Sequence, residues 1–205
     1  GDMVDSKDTD FDVFTDLAGE ISKNYDTYYI LGNHEQSLSK KRRKMLTDTL
    51  TEFGVKVLDN EKVTITKGED SINLYGLWFN LRYYKDSSNE YTKDVFFGEE
   101  QIKKILGKPN TDSYNILLTH NPLYADTYSD WGADLTLSRH IHGGIIRIPF
   151  AGGVFSPEKK FFPEYDGGMY QVDDKILIVN RGLGNSNFAL RIFNRPEILV
   201  ITLCN

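Results

Sequence analysis

Cysteine is almost missing: the 205 residues contain one, Cys204, beside the C-terminal residue. A lone cysteine excludes an internal disulfide framework and a thiolate metal cluster, and it leaves the redox compartment open. Positive charge is not in surplus either. The formal net charge is −6, which argues against a stable nucleic-acid partner and requires any anionic substrate to be met by a local cation or a bound metal. No apolar run reaches membrane-spanning length. The front of the chain, Gly1-Asp2-Met3-Val4-Asp5, has no initiator methionine and no signal-peptide pattern, and reads as cut. Histidine is scarce, with only His34, His120, His140 and His142. What the chain does have is apolar and aromatic content, 40% and 13%, enough to fill a core and to exclude disordered and collagen-like classes.

Periodicity sets out the elements. Phe11, Phe14, Leu17, Ala18 and Ile21 recur at helical spacing, and residues 28–31 then form a short apolar run that stops on Gly32, a helix followed by a buried strand. Leu38, Met45, Leu46, Leu50 and Phe53 predict a second helix ended by Gly54, its basic run 40–44 reading as a solvated face. Strands follow at 55–58, 62–66 and 72–79. The polar, tyrosine-rich stretch 82–94 has no period and reads as a loop or cap. Residues 99–106 are helical, and 114–119 form a buried strand running into His120-Asn121-Pro122. A hairpin is predicted at 169–180 and a closing strand at 198–203. Residues 149–168, rich in glycine, proline and aromatics, read as an ordered functional loop. With no repeat and no second domain evident, residues 1–205 form a single domain of α/β or α+β class.

The polar residues gather at strand ends. Residues 28–31 lead into Gly32-Asn33-His34-Glu35, 114–119 into His120, and 135–138 into Arg139-His140-Ile141-His142-Gly143-Gly144. All four histidines thus stand where α/β sheets present ligand groups. Each has a plain alternative when taken alone: His120 as a hydrogen-bonded structural histidine, Asn33 in an Asx turn, Asp2 and Asp5 as a solvated acidic start. Alternate residues of an extended strand point apart, so His140 and His142 can serve one centre only through an irregular turn, which Gly143-Gly144 supplies. Together they predict a metal site. Carboxylate, amide oxygen and imidazole without thiolate suit Mn, Fe or Zn. Two such ions roughly 3.5–4 Å apart can clamp a phosphate and activate a water, the chemistry of phosphate-ester hydrolysis.

In this order, Gly1-Asp2-Met3-Val4-Asp5, Gly32-Asn33-His34-Glu35, His120 and His140-Ile141-His142 resemble the signature of the calcineurin-like metallophosphoesterases. Pro149-Phe150, Tyr165-Asp166-Gly167-Gly168, Arg181-Gly182-Leu183-Gly184 and Arg195-Pro196-Glu197 are similar to its bacterial YkuE-type branch. The resemblance implies a four-layer αββα sandwich of two mixed β-sheets. It also implies that Asp2 bridges two divalent ions, that Asn33, His120 and His140 complete the second site, and that His142 binds in the first. His34 then serves the leaving oxygen, oriented by Asp5, and Glu35 supports that loop. Arg181 is either a phosphate contact or a structural arginine. Arg139 stands where the family usually has glycine, and narrows the site, contacts phosphate or is a displaced surface side chain.

One family feature is missing: the strand ending in Asp-x-His that normally opens the fold. The chain therefore reads as N-terminally truncated, with its first strands absent. Its second site keeps four ligands and its first only Asp2 and His142, so it is expected to hold at most one ion tightly, to be weak or inactive as a hydrolase, and to self-associate through the edge left open. The implied substrate is a phosphomonoester or phosphodiester, lipid-linked or nucleotide, selected by the 82–94 and 149–168 loops. The implied localisation is membrane-associated or extracytoplasmic. The competing expectations are a degenerate, non-catalytic scaffold used for protein binding and a mononuclear structural metal site.

Overall fold

The computed structural model describes residues 1–5, 7–84, 95–144, 146–156, 160–184 and 191–204. Most of the 82–94 stretch, residues 85–94, lies outside them. In chain order the elements are α1 (Asp12–Ser22), β1 (Tyr28–Tyr29), α2 (Asn33–Ser37), α3 (Lys40–Glu52), β2 (Lys56–Val57), β3 (Lys62–Lys67) and β4 (Asp70–Leu77). They continue with α4 (Glu99–Leu106), β5 (Tyr114–Thr119), α5 (Ala125–Trp131), β6 (Leu135–Ser138), β7 (Arg147–Ile148), β8 (Gly152–Gly153), β9 (Gly168–Val172) and β10 (Lys175–Val179).

Alternation along the strands decides the layering. A six-stranded sheet runs in the order β3-β4-β5-β6-β10-β9. Its four inner strands are parallel, and β3 and β9 pair antiparallel at its edges. Because side chains alternate across a strand, Leu74, Ile116 and Leu135 face one way and Tyr75, Leu77 and Leu117 the other. The first set packs on Ile30 and Leu58, which flank the parallel β1-β2 pair, so two sheets meet face to face. Behind the smaller sheet, Phe11 and Ala18 on the α1 side and Leu46 and Leu50 of α3 cover Tyr29, Leu31 and Val55. Behind the larger one, Ile102 of α4 and Tyr128 and Trp131 of α5 cover Tyr75, Leu77 and Leu117. The order is helices, sheet, sheet, helices, the αββα layering expected above, with the larger sheet mixed and the smaller, among the described residues, a parallel pair. Inner strands buried on both faces read as continuous apolar runs such as Ile116-Leu117-Leu118.

This topology sets up the site. β5 and β6 are adjacent and parallel, so their carboxyl ends, with His120 after one and Arg139 to His142 after the other, open side by side. A cavity of about 210 Å³ lies between the small sheet and these ends, lined by Gly1, Tyr28 to Ile30, Leu118 to His120 and Leu137 to Arg139. One strand expectation is corrected. Residues 198–203 form no strand, and Ile198 and Val200 are 77% and 92% exposed. A β-rich run becomes a strand only where an edge accepts its backbone groups, and none of the described strands pairs with it. Among the described residues no helix is long and apolar enough to cross a membrane.

Candidate metal centre

Beyond β6 the chain leaves extended geometry at once. His140 and His142 have φ of 69° and 54°, followed by Gly143 and Gly144 at 72° and 73°. The irregular turn expected from the glycine pair therefore begins at the histidines themselves. A non-glycine residue in the left-handed region costs about 1–2 kcal/mol and persists where its surroundings hold it. Here Asn194 Nδ2 donates to the His142 carbonyl at 2.6 Å, and Gly144 N–H donates to the Ile141 carbonyl at 2.8 Å. On the neighbouring strand end, Ser138 Oγ and the Arg139 N–H donate to the His120 carbonyl at 3.0 and 3.2 Å.

Asp2 meets these residues from the front of the chain, also in left-handed backbone with φ 56°. Its Oδ1 accepts the His34 N–H at 2.9 Å, at the start of α2. Its Oδ2 lies 2.8 Å from His120 Nε2, with side-chain exposures of 4% and 1%. That approach does not have hydrogen-bond geometry. Asp2 Oδ2, His120 Nε2, Asn33 Oδ1 and His142 Nδ1 are all buried without a hydrogen-bond partner among the described residues. One donor atom from each of Asp2, His120 and His140 lies within 4.8 Å of the others. Buried lone pairs left facing one another are costly unless something electropositive joins them. The donor set of carboxylate and imidazoles fits a borderline divalent cation.

Electrostatics agree with ligation. Burial pushes the His120 imidazole down to about 4 against the pull of Asp2, and burial, with Arg139 and His140 nearby, pushes His142 down to about 3. Both are neutral at neutral pH, as metal ligands must be. Burial opposes ionisation of Asp2, but His120 beside it keeps the carboxylate in its charged form.

The remaining candidates take distinct places. His142 ends the same turn but is outside the three-residue cluster. His34 puts Nδ1 3.2 Å from Asp5 Oδ2 in a partly exposed pair. Arg139 Nη1 donates to the carbonyls of Gly1 and Asp2, at 3.3 Å each. Arg181 binds Glu197, whose Oε1 accepts its N–H at 2.9 Å and whose Oε2 accepts its Nε at 2.8 Å. Glu35 is completely buried. Two further residues escaped the sequence reading. Tyr84 sets its ring edge-on to His140 at 5.0 Å, and burial, with Asp2 nearby, raises its phenol well above the usual value; tyrosine richness was its only signal. Asn194 fastens the His-x-His turn, and only its place before Arg195-Pro196-Glu197 set it apart.

Comparison with known proteins accords with this geometry. Residues 1–152 match the family model described as calcineurin-like phosphoesterase. The uncharacterized metallophosphoesterase YkuE of Bacillus subtilis (strain 168) is 29% identical over 99% of this chain and 65% of its own length. Phosphodiesterase YaeI of Escherichia coli (strain K12) is 26% identical over 94% of this chain and 64% of its own. The UDP-2,3-diacylglucosamine pyrophosphatase LpxG of Chlamydia muridarum is 28% identical over 71% of this chain and 40% of its own. The chain thus spans less than two thirds of the length of each of these relatives. No solved structure gives a significant match.

Proposed function

Because the chain belongs to the calcineurin-like phosphoesterase family, we propose that it carries the metal-binding and leaving-group residues of a hydrolase acting on phosphomonoesters or phosphodiesters. Asp2, Asn33, His120 and His140 hold one divalent ion of the Mn, Fe or Zn class, and Asp2 and His142 contribute to a second. The observation that carries this reading is the convergence of Asp2, His120 and His140, with Asp2 Oδ2 and His120 Nε2 buried and without a hydrogen-bond partner among the described residues. When bound, such ions neutralise phosphoryl oxygens and make an attacking water more acidic.

The protein's own residues divide the other work. The His34 N–H holds one oxygen of Asp2 and so aims the other into the centre. His120 and His142, neutral through burial, offer lone pairs without releasing a proton first. In its imidazolium form His34 donates Nδ1–H to Asp5, which orients the ring, and passes its Nε2 proton to the departing oxygen, leaving the neutral imidazole. Diester and pyrophosphate bonds, the latter lipid-linked, appear in the names of two relatives, which supports a lipid-linked or nucleotide-like ester as substrate.

Isothermal titration of the metal-stripped protein with Mn²⁺ tests the site, with one tight ion expected and none for Asp2→Asn. Hydrolysis of bis-p-nitrophenyl phosphate at saturating Mn²⁺ tests the reaction. Metal binding without turnover of any monoester or diester points to the non-catalytic scaffold, and absence of metal binding overturns the proposal.

A further inference from the structure

Asp2 is gripped along both edges of its backbone, and the two groups that grip it carry opposite charges. On the N–H edge stands Glu35, completely buried on α2. Its Oε2 accepts the N–H of Asp2 at 2.8 Å and that of Gly32 at 2.7 Å. Its Oε1 accepts the Met3 N–H at 2.8 Å, the Val4 N–H at 3.4 Å and the Tyr29 hydroxyl at 2.7 Å. On the carbonyl edge stands Arg139, whose Nη1 donates to Gly1 and Asp2.

We propose that Glu35 and Arg139 form a clamp on the Asp2 backbone and are positioning residues for the metal centre, with Arg139 serving the peptide and not the phosphate. The proposal rests on the reading of Asp2 as a metal ligand. Its physical reason is the backbone of Asp2, which sits in the left-handed region and would relax toward ordinary conformations if released. Relaxation would swing Oδ2 away from His120. Glu35 and the His34 N–H index Asp2 to α2, while Arg139 indexes it to the turn that carries His140. Ligands from three chain segments are thereby held in register before any ion arrives, which is what tight coordination needs.

The packing leaves room for this clamp and little else. A Cβ on Gly32 would come within 2.2 Å of Asp2 Oδ1, and one on Gly182 within 2.3 Å of Arg139 Nε. Glutamate is the only acidic or amide side chain of this length whose two oxygens both accept. In Glu35→Gln one of the positions now facing N–H groups becomes an NH₂, so donor meets donor.

The test compares Glu35→Gln, Arg139→Gln and Arg139→Lys with wild type, using Mn²⁺ titration of metal-stripped protein and inorganic phosphate titration of the Mn²⁺-saturated protein. Amide hydrogen exchange of residues 3 and 4 is measured without metal. Glu35→Gln and Arg139→Gln are expected to weaken Mn²⁺ binding by about 10–100-fold, Arg139→Lys to recover part of it, and phosphate affinity to stay as in wild type. Arg139→Gln is also expected to speed exchange at Met3 and Val4, although it touches neither N–H. Unchanged Mn²⁺ affinity in the two glutamine variants overturns the proposal, as does loss of phosphate affinity alone in Arg139→Gln. If wild type binds no Mn²⁺, the ligand role of Asp2 fails; the exchange rates still decide whether Arg139 holds the Asp2 backbone, and unchanged rates overturn that as well.

Discussion

At the scale of single residues, the roles proposed for His34 fall on two different parts of it and can be tested apart. Its backbone N–H holds Asp2 Oδ1, whereas its ring faces Asp5 in a partly exposed pair. His34→Ala keeps the N–H and removes only the ring. Its Mn²⁺ affinity should match wild type by titration, while turnover of a diester falls by about 10²–10⁴-fold, the usual contribution of general acid–base catalysis. A purely structural metal site would show no such split.

The buried imidazoles make a second residue-scale prediction. His120 and His142 titrate near 4 and 3 in the folded chain because burial disfavours their charged forms, and near 6.5 when unfolded. Between these values the unfolded chain binds more protons, so stability is full above about pH 6.5 and drains away as pH falls toward 4. Each imidazole contributes up to about 1.4 kcal/mol per pH unit in that window. Urea midpoints of metal-stripped protein should fall steeply from pH 6.5 to 4, and His142→Asn should flatten the slope. A flat profile would mean that these rings are hydrated.

At the scale of elements, the site depends on the end of β5, and α5 braces that end from outside. Tyr128 is fully buried and its hydroxyl donates to the Asn121 carbonyl at 2.7 Å, one residue past His120. Tyr128→Phe should cost about 1–2 kcal/mol by chemical denaturation, since it strands a buried carbonyl, and should loosen metal binding less than Asp2→Asn. The same element shows where sequence patterns stop. β5 and the β9–β10 hairpin were legible because β-branched and aliphatic runs bounded by turn residues have a single reading. α5 and α2, at seven and five residues, are too short to declare a period and exist through tertiary contacts such as the bond from Thr127 Oγ1 to the Phe97 carbonyl. Residues 198–203 have strand composition, yet composition does not supply an edge. The ligand types and their order could be read directly. The left-handed backbone of Asp2, His140 and His142 could not, because it is imposed by partners such as Asn194 and Glu35 from distant parts of the chain.

At the scale of the whole molecule, the proposed metal centre would also be a fastener. Its proposed ligands come from the front segment (Asp2), α2 (Asn33) and the ends of β5 and β6 (His120, His140), so one ion would join the small-sheet side of the sandwich to the large sheet. Among the described residues the two sheets meet through Ile30 and Leu58 against Leu74, Ile116 and Leu135, with partly buried side chains such as Tyr28, Leu118 and Leu137 packed beside them. A ligand that binds only the folded chain adds about 2.7 kcal/mol of stability at a hundredfold excess over its dissociation constant. For a chain of this size each kcal/mol moves the midpoint by about 2–4 °C. Removing the metal with a chelator should therefore lower Tm by about 5–10 °C, and Asp2→Asn should melt at the lower temperature with or without chelator. Calorimetry with Mn²⁺ added back distinguishes this from general salt effects. Full recovery by Mn²⁺ but not by an equal ionic strength of NaCl is expected, and equal Tm values with and without chelator would show that the ion does not bridge the two sheets.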